Sequence, residues 1–203
     1  MNKALALFDF DGTLYLKDSF TQFIFYTLSK GHIAHRGIQI LPWINAYFVN
    51  LYPAHLMRER LYKQMFKHQD LRHIEPIAKN YSAQIIDSLN PVLLAQLKQH
   101  QALGHQVVVV SASLDLYLKY VCDWLNVDLI CTQTEVKDAV LTGQYASEDC
   151  SGIHKKIQVM SKYKLAEFAQ IYAYGNSKED IDMLSLAHYP FMIGQDRLLP
   201  TLN

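Results

Sequence analysis

The chain has 203 residues, half of them hydrophobic, and its 19 Lys and Arg residues balance 19 Asp and Glu residues. This length allows one hydrophobic core of ordinary size with an inserted subdomain. The balanced charge gives no electrostatic reason to expect nucleic acid or an anionic membrane surface as a partner, so a small, specific ligand is favoured.

The cysteines and the start of the chain favour a reduced, cytoplasmic protein. Cys122, Cys131 and Cys150 are odd in number and lack paired spacing, so we expect neither a disulfide framework nor a zinc site. The N-terminal residues lack the basic region, apolar stretch and cleavage site of a signal peptide.

The first predicted element is a buried strand that ends in two carboxylates. Residues 4–8 are apolar, and Asp9, Asp11 and Gly12 follow them. Such a run suits a parallel sheet, whose ligands lie beyond the carboxyl ends of the strands. In extended backbone Asp9 and Asp11 point the same way, and a divalent cation lets both stay ionised. Taken alone, these residues also fit a strand end in a solvated loop.

Helical spacing replaces the strand pattern from about residue 15 to residue 90, as in Leu56, Met57, Leu61, Met65 and Phe66. Within it, residues 37–57 contain no Asp, Glu, Lys or Arg and are about as long as a membrane span. Pro42 and Pro53 interrupt this segment, and its polar side chains would need partners in lipid. We therefore favour a buried or pocket-lining helix and expect no stable membrane insertion.

Strands and helices alternate in the second half of the chain. We predict helices over 91–103, from about 114 to 125, from near 154 and over 179–187; strands over 106–110, 127–131, 171–174 and near 191; and a hairpin over 134–145. This order predicts an α/β fold, a Rossmann-like parallel sheet core with helices on both faces and an inserted all-helical cap. The predicted core is 1–14 and 90–203, and the predicted cap is 15–89.

Four strand ends or adjoining turns carry polar residues that such a sheet would bring to one edge. They hold Asp9 and Asp11; Ser111 and Ala112; Cys150, Gly152 and Lys155; and Gly175, Asn176, Ser177, Asp180, Met183 and Leu184. Each has an ordinary alternative: Ser111 as a strand-end hydroxyl, Lys155 beside Lys156 on a solvated helix face, and Asp180 at a helix N-terminus. Met183 and Leu184 fit core packing. The ordered co-occurrence of all four groups outweighs these alternatives.

Together, these motifs resemble those of the haloacid dehalogenase superfamily of phosphohydrolases. The closest resemblance is to the phosphoserine phosphatase-like branch, which carries a helical cap between the first and second motifs. The resemblance covers the whole chain in order, although the cap matches only in kind. It implies a magnesium-dependent phosphomonoester hydrolase that acts on a small phosphorylated metabolite, with a phosphoserine-like compound as one candidate.

The resemblance also implies a role for each site residue. Asp9 corresponds to the nucleophile that forms an aspartyl-phosphate, and Asp11 to the general acid and base. Lys155 would supply positive charge, while the Ser111 hydroxyl and the Ala112 backbone N–H would donate to phosphate oxygens. In the family, magnesium is held by the first carboxylate, the backbone carbonyl of the second aspartate and an acidic residue of the fourth motif.

One position departs from the family pattern. Asn176 stands where the family usually has aspartate, so the metal site loses a negative charge. Its amide oxygen can still bind a hard cation, and Asp180 could serve directly or through water. We expect weaker magnesium binding than in a relative with aspartate. The departure also leaves open a catalytically weak binding or regulatory module.

The cap should set the substrate, but its sequence points in two directions. Groups that could hold an amino acid also fit cap surface, which we favour for Asp18, Arg58, Glu59 and Arg60. An apolar leaving group, such as a lipid or isoprenoid phosphate, is favoured by an aromatic stretch that could instead pack the cap: Trp43, Tyr47, Phe48 and Tyr52. The oligomeric state, and hydrolysis as against phosphoryl transfer to another acceptor, stay open.

Overall fold

Helices and strands follow one another along the whole chain. The computed structural model of the protein describes residues 3–202. The first half contains β1 (Ala4–Phe8), α1 (Ser19–Thr27), α2 (Lys30–Ile38), α3 (Leu41–Phe48), α4 (Ala54–Phe66), α5 (Leu71–Ile86) and α6 (Pro91–Ala102). The second half contains β2 (Gln106–Leu114), α7 (Asp115–Leu125), β3 (Asp128–Thr132), β4 (Thr134–Lys137), β5 (Val140–Tyr145), α8 (Ile153–Lys162), β6 (Gln170–Gly175), α9 (Ile181–Leu184) and β7 (Tyr189–Met192). Short 3-10 turns span Leu165–Glu167 and Lys178–Asp180.

A parallel sheet organises these elements. Within residues 3–202 it has five strands in the order β3-β2-β1-β6-β7, and β4 and β5 form a separate antiparallel hairpin. Phe8 of β1 lies level with Val109 of β2 and Tyr174 of β6, so the residues that follow these strands meet at one edge. The predicted α/β fold and the predicted hairpin are confirmed. Residues 1, 2 and 203 of the predicted core lie outside the described residues.

Alternate residues of β1 pack on opposite faces of the sheet, as a strand buried on both sides requires. Leu5 and Leu7 pack in a buried cluster with Met183 and Leu184. The core-packing role predicted for Met183 and Leu184 is therefore confirmed. Phe8 belongs to a second cluster that continues into α1, α4 and α5. Because this cluster runs through sheet and helices without a break, the division into core and cap stays a prediction.

The boundaries of α6 follow from local sequence. The Asn90 side chain accepts a hydrogen bond from the Val92 N–H, and Pro91 occupies the first helical position. Gly104, just beyond the helix, has a φ of +73°, a left-handed conformation that glycine adopts without strain. Both signals were the basis for predicting this helix.

Two predicted boundaries were wrong. β2 runs to Leu114 rather than ending at residue 110, with a register irregularity after Ser111, because the Thr132 hydroxyl still bonds the Ala112 carbonyl at 2.8 Å. The helix predicted over 179–187 is shorter, since α9 ends at Leu184 and the His188 N–H already bonds a sheet carbonyl.

Of the two alternatives predicted for residues 37–57, a buried or a pocket-lining helix, the structure favours the second, because Tyr47, Phe48 and Met57 line a cavity. The segment is divided among the end of α2, the whole of α3 and the start of α4, with Pro42 at the start of α3 and Pro53 just before α4. None of the α3 residues is buried. Across residues 3–202, every helix is too short or too polar to cross a bilayer.

The cysteines match the expected chemistry. Cys122, Cys131 and Cys150 all lie in the described part of the chain, where each is buried and free of a disulfide. The cytoplasmic location inferred from them stays a prediction.

Candidate active site

A buried ion pair between Asp9 and Lys155 lies at the carboxyl edge of the sheet. Asp9 directly follows β1, and Lys155 lies in the first turn of α8. The Lys155 Nζ donates to Asp9 Oδ1 at 2.5 Å and to Asp180 Oδ1 at 2.6 Å. The Thr13 hydroxyl donates to the other Asp9 oxygen at 2.8 Å. Each oxygen of Asp9 therefore has a donor that fixes its orientation.

Burial and the mutual attraction of these groups set their protonation. Burial raises the pKa of Asp9, and the Lys155 ammonium opposes that rise. Burial alone would lower the pKa of Lys155, but Asp9 and Asp180 hold it above its ordinary value. For Asp180, burial acts to raise the pKa, but the Lys155 ammonium brings it below the ordinary value. Lys155 is thus a fixed positive charge at neutral pH.

Asp11 lies beside this pair in a network of hydroxyl groups. The Ser19 N–H donates to Asp11 Oδ1 at 2.7 Å, and the Ser113 hydroxyl donates to Oδ2. The Ser19 hydroxyl also bonds those of Ser113 and Tyr117, at 3.1 Å and 2.8 Å. Burial raises the pKa of Asp11 to about 6, against the effect of the Ser113 and Ser19 hydrogen bonds. A carboxyl group with this pKa is suited to exchanging a proton near neutral pH.

The fourth motif packs directly on the first. A Cβ atom at Gly12 would lie 1.8 Å from Asn176 Nδ2, and Gly12 has a φ of +81°, so glycine is required for both space and conformation. Asp180 Oδ2 accepts from the N–H groups of Asn176 and Ser177, at 3.0 Å and 2.9 Å, while Oδ1 accepts from Lys155. Asp180 therefore holds Lys155 and the Asn176 loop in place.

The donor chemistry of this edge fits a hard divalent cation. Asp9, Asp11 and Asp180 carry three negative charges when ionised, and Lys155 offsets one of them. Among residues 3–202, no trio of His, Cys, Asp or Glu side chains is arranged to hold a metal by itself. The fit therefore depends on Asp9 together with the Asp11 carbonyl and the Asn176 amide oxygen, all of them oxygen donors of the kind magnesium prefers.

Ser111 and Ala112, which were predicted to bind phosphate together with Lys155, have different surroundings. Ala112 lines the cavity above Asp9. Ser111 is buried, and its hydroxyl oxygen accepts a hydrogen bond from the Ser113 N–H at 3.0 Å. The phosphate-binding role of both residues stays a prediction.

A cavity of about 400 Å³ opens above these groups. Its floor is charged and polar, with Asp9, Asp11, Lys155, Asn176 and Asp180. Its wall on the helical side is largely apolar, with Phe20, Tyr47, Phe48, Met57 and Leu61. The site therefore joins a polar reaction centre to a hydrophobic entrance.

Arg58 is neither cap surface nor a free cation, which corrects the interpretation favoured from sequence. Its guanidinium reaches from α4 to Asp149 with two bonds of 2.9 Å and to Glu179 at 3.1 Å. The side chain is 18% exposed, and these two carboxylates raise its pKa against the effect of burial. Its charge is therefore already neutralised. Glu59, by contrast, is exposed as expected.

Arg60 and Asp18 also have local partners. The Arg60 guanidinium lies 4.0 Å from the centre of the Trp43 ring and donates to the Tyr52 hydroxyl at 3.2 Å. Trp43 and Tyr52 therefore pack within the cap. Asp18 lines the cavity, but its carboxylate accepts from the Thr21 N–H and caps α1.

Sequence reasoning missed the residues that hold the two aspartates. Thr13 directly follows Gly12 in the first motif, and its position there was a usable signal. Ser113 could have been found from strand alternation, because it lies two residues after Ser111. No local pattern indicates Ser19, which reaches Asp11 because α1 folds back over the sheet edge.

The fold and site define a class of protein: an α/β domain that presents a buried carboxylate and a fixed lysine at the edge of a parallel sheet. The helices α1 to α5, which we call the helical cover, lie between β1 and α6 in the chain. The chain belongs to the haloacid dehalogenase-like hydrolase family, whose sequence model matches residues 6–185. The superfamily predicted from the four motifs is confirmed.

Two relatives match nearly the whole chain. Protein CicA of Caulobacter vibrioides is 27% identical over 186 residues, covering 90% of this chain and 82% of that protein. A histidinol-phosphatase of Neisseria meningitidis serogroup C is 25% identical over 214 residues, covering 96% of this chain and 91% of that protein.

Solved structures share the fold. A Bordetella pertussis protein of unknown function superposes with a TM-score of 0.80 at 23% identity, covering 94% of this chain and 89% of that chain. A substrate-bound phosphoserine phosphatase superposes with a TM-score of 0.67 at 18% identity, covering 95% and 86%. This chain therefore has the architecture of the phosphoserine phosphatase-like branch that the sequence predicted.

Proposed function

We propose that this protein is a magnesium-dependent phosphatase that hydrolyses phosphomonoesters through an aspartyl-phosphate on Asp9. The observation that carries the proposal is the setting of Asp9, which is held by Lys155 and Thr13 with Asp11 beside it on the floor of the cavity. Membership of a hydrolase family and a relative named histidinol-phosphatase support the same chemistry.

In the first step, a carboxylate oxygen of Asp9 attacks phosphorus while the ester P–O bond breaks. The departing oxygen takes a proton from Asp11, whose raised pKa makes the protonated form more populated near neutral pH than in an ordinary aspartate. Lys155 offsets the negative charge on the phosphoryl oxygens, and the Ala112 N–H and the Ser111 hydroxyl donate to them. Magnesium, when bound by Asp9 and its neighbours, neutralises further charge on the phosphoryl group.

In the second step, water attacks phosphorus and gives a proton to Asp11. The bond between Asp9 and phosphorus breaks, inorganic phosphate leaves, and Asp9 returns as a carboxylate. Asp11 thus serves as acid in one half of the cycle and base in the other, so both residues end in their starting states.

We assign Asn176 rather than Asp180 as the ligand that the fourth motif gives to magnesium. Asp180 Oδ1 accepts from Lys155, and Oδ2 already accepts from three donors of Asn176 and Ser177. Each Asp9 oxygen, by contrast, has a single donor. Asn176 lies against Gly12 beside the first motif and keeps an oxygen donor there. The proposed substrate is a small phosphorylated metabolite, and the proposed location is the cytoplasm.

The test is phosphate release from p-nitrophenyl phosphate with and without magnesium. We expect the wild type to turn over only with magnesium, and Asp9→Asn to lose at least about a thousandfold in kcat. Rapid quenching of the wild type should trap phosphate on residue 9. Thr21→Ser, a mild change at the cavity rim, serves as the folding and handling control. Equal release by wild type and Asp9→Asn, or turnover that survives chelation, would refute the proposal and favour a binding or regulatory module.

A further inference from the structure

We infer that the phosphomonoester accepted here carries an apolar chain, which lies along residues 37–57 of the helical cover. This inference rests on the proposed function and names the class of substrate for the same site. Three observations carry it: an apolar surface that begins in the cavity, the absence of Asp, Glu, Lys and Arg from residues 37–57, and the neutralised state of Arg58.

The apolar surface begins inside the cavity and continues outside it. Tyr47 and Phe48 belong to the cavity wall, yet they are 40% and 75% exposed. Leu41 lies two helical turns before Phe48 on the same face of α3 and is 50% exposed, and Leu51, just beyond the helix, is 80% exposed. A ligand that covers these side chains gains the free energy of removing their apolar area from water.

The cations around the cavity argue against a leaving group that carries a carboxylate. Residues 37–57 contain no Asp, Glu, Lys or Arg. Arg58 follows directly, but it is bound to Asp149 and Glu179, so a substrate carboxylate would have to displace one of them. Lys155 is similarly held by carboxylates on the floor, where the phosphoryl group itself is expected.

The chain of a single substrate molecule is the occupant of this apolar surface, because the surface begins inside the cavity. A phosphoryl group at Asp9 leaves its ester chain to pass Phe20 and Met57 and to emerge at Phe48. A membrane surface fits less well, because the apolar wall begins inside the cavity at Phe20 and Met57, which are almost completely buried. The structure thus favours a dissolved amphiphile whose chain lies on α3.

The experiment is a chain-length series of n-alkyl phosphates from ethyl to octyl, each kept below its critical micelle concentration. Full burial of one methylene group is worth about fourfold in binding, so partial cover by an open surface gives about twofold per methylene. We therefore expect kcat/KM to rise roughly sixtyfold from ethyl to octyl phosphate.

Variants then locate the surface. Phe48→Ser and Leu51→Ser should each reduce the octyl-to-ethyl ratio of kcat/KM by about threefold or more. Leu198→Ser is the matched control, because Leu198 is 86% exposed and lies far along the chain from residues 37–57. It should leave both the ratio and the absolute rates unchanged.

The outcomes separate the two proposals. Failure to hydrolyse p-nitrophenyl phosphate removes the proposed function and this inference with it. The inference alone is overturned if p-nitrophenyl phosphate is hydrolysed normally but kcat/KM does not change with the length of the alkyl chain. It is also overturned if Phe48→Ser and Leu51→Ser both leave the octyl-to-ethyl ratio of kcat/KM unchanged. A higher kcat/KM for phosphoserine than for octyl phosphate overturns it as well. Turnover of long-chain phosphates only in phosphatidylcholine vesicles also overturns it, because the occupant is then a bilayer.

Discussion

The floor of the cavity and the surface of residues 37–57 are built in opposite ways. On the floor, Asp9, Lys155 and Asp180 are almost completely buried, and their charged atoms are held by hydrogen bonds of 2.5–3.1 Å. Along residues 37–57 the side chains are uncharged, and Phe48 and Leu51 are mostly exposed.

This contrast shows that phosphoryl transfer and substrate recognition need different kinds of surface. Phosphoryl transfer needs charges fixed before the substrate arrives, because reorganising them during the reaction would raise the barrier. Recognition of an apolar group needs area rather than fixed geometry, so an open surface is sufficient. Substitutions on the floor should therefore have large effects, and those in the cover should have small ones.

The largest effect should come from Lys155→Met. We expect kcat/KM to fall about a thousandfold, because the phosphoryl group loses its fixed positive charge. The unfolding free energy should fall by about 3 kcal/mol, because Asp9 and Asp180 lose their shared counter-charge. Steady-state kinetics and urea unfolding measure the two effects.

The neighbouring lysine provides the control for this substitution. The Lys156 Nζ bonds the Ser185 hydroxyl at 3.1 Å, away from the cavity. Lys156→Met should leave kinetics and stability near wild type. Similar losses in both variants would mean that Lys155 has no special role at the site.

A smaller effect should come from Asn176→Asp, which tests the charge balance of the floor. The change is nearly isosteric, so the contact with Gly12 is kept, and it adds one negative charge to the cavity floor that Asp9 also lines. We expect magnesium to bind about tenfold more tightly, measured as the magnesium concentration at half-maximal turnover. Asn126→Asp, at the remote end of α7, should not change it. An unchanged or weaker magnesium dependence would remove Asn176 from the ligand set.

The smallest effect should come from Arg58→Met, which breaks the link between α4 and the core. We expect the unfolding free energy to fall by about 1–2 kcal/mol, because Asp149 is left largely buried without its partner. Arg72→Met is the control, since the Arg72 side chain is 80% exposed in its pair with Asp70, and such pairs contribute little. Equal stability of the two variants in urea unfolding would show that the Arg58 link adds nothing.

The sequence predicted the floor better than the cover. Asp9 was predicted at the site because it follows a buried strand, and parallel strands bring their carboxyl ends to one edge. Lys155 was assigned through the resemblance to the family, because its own position also fits a solvated helix face. In the structure the charged atoms of Asp9 and Lys155 lie 2.5 Å apart. The alternation of strands and helices was equally readable, because buried strands of a parallel sheet have continuous apolar runs.

The helical cover was harder to predict from sequence, for physical reasons. Helical spacing shows that residues 37–57 have apolar faces, but it does not show whether another element covers them, so the sequence left open whether they are buried or line a pocket. The partners of Arg58 lie 91 and 121 positions away in the chain, so no local pattern indicates them. The early end of α9 depends on the His188 bond to the sheet, which is also a tertiary contact.

The central place of β1 has a consequence for biosynthesis. Leu5 pairs with Gln106 of β2 on one side and with Ile171 of β6 on the other, so β1 is synthesised long before either of its neighbours in the sheet. Until the ribosome has released those distant segments, five apolar residues remain without a pairing edge. Such delayed, long-range pairing slows folding and leaves this apolar strand available for self-association until β6 has been made.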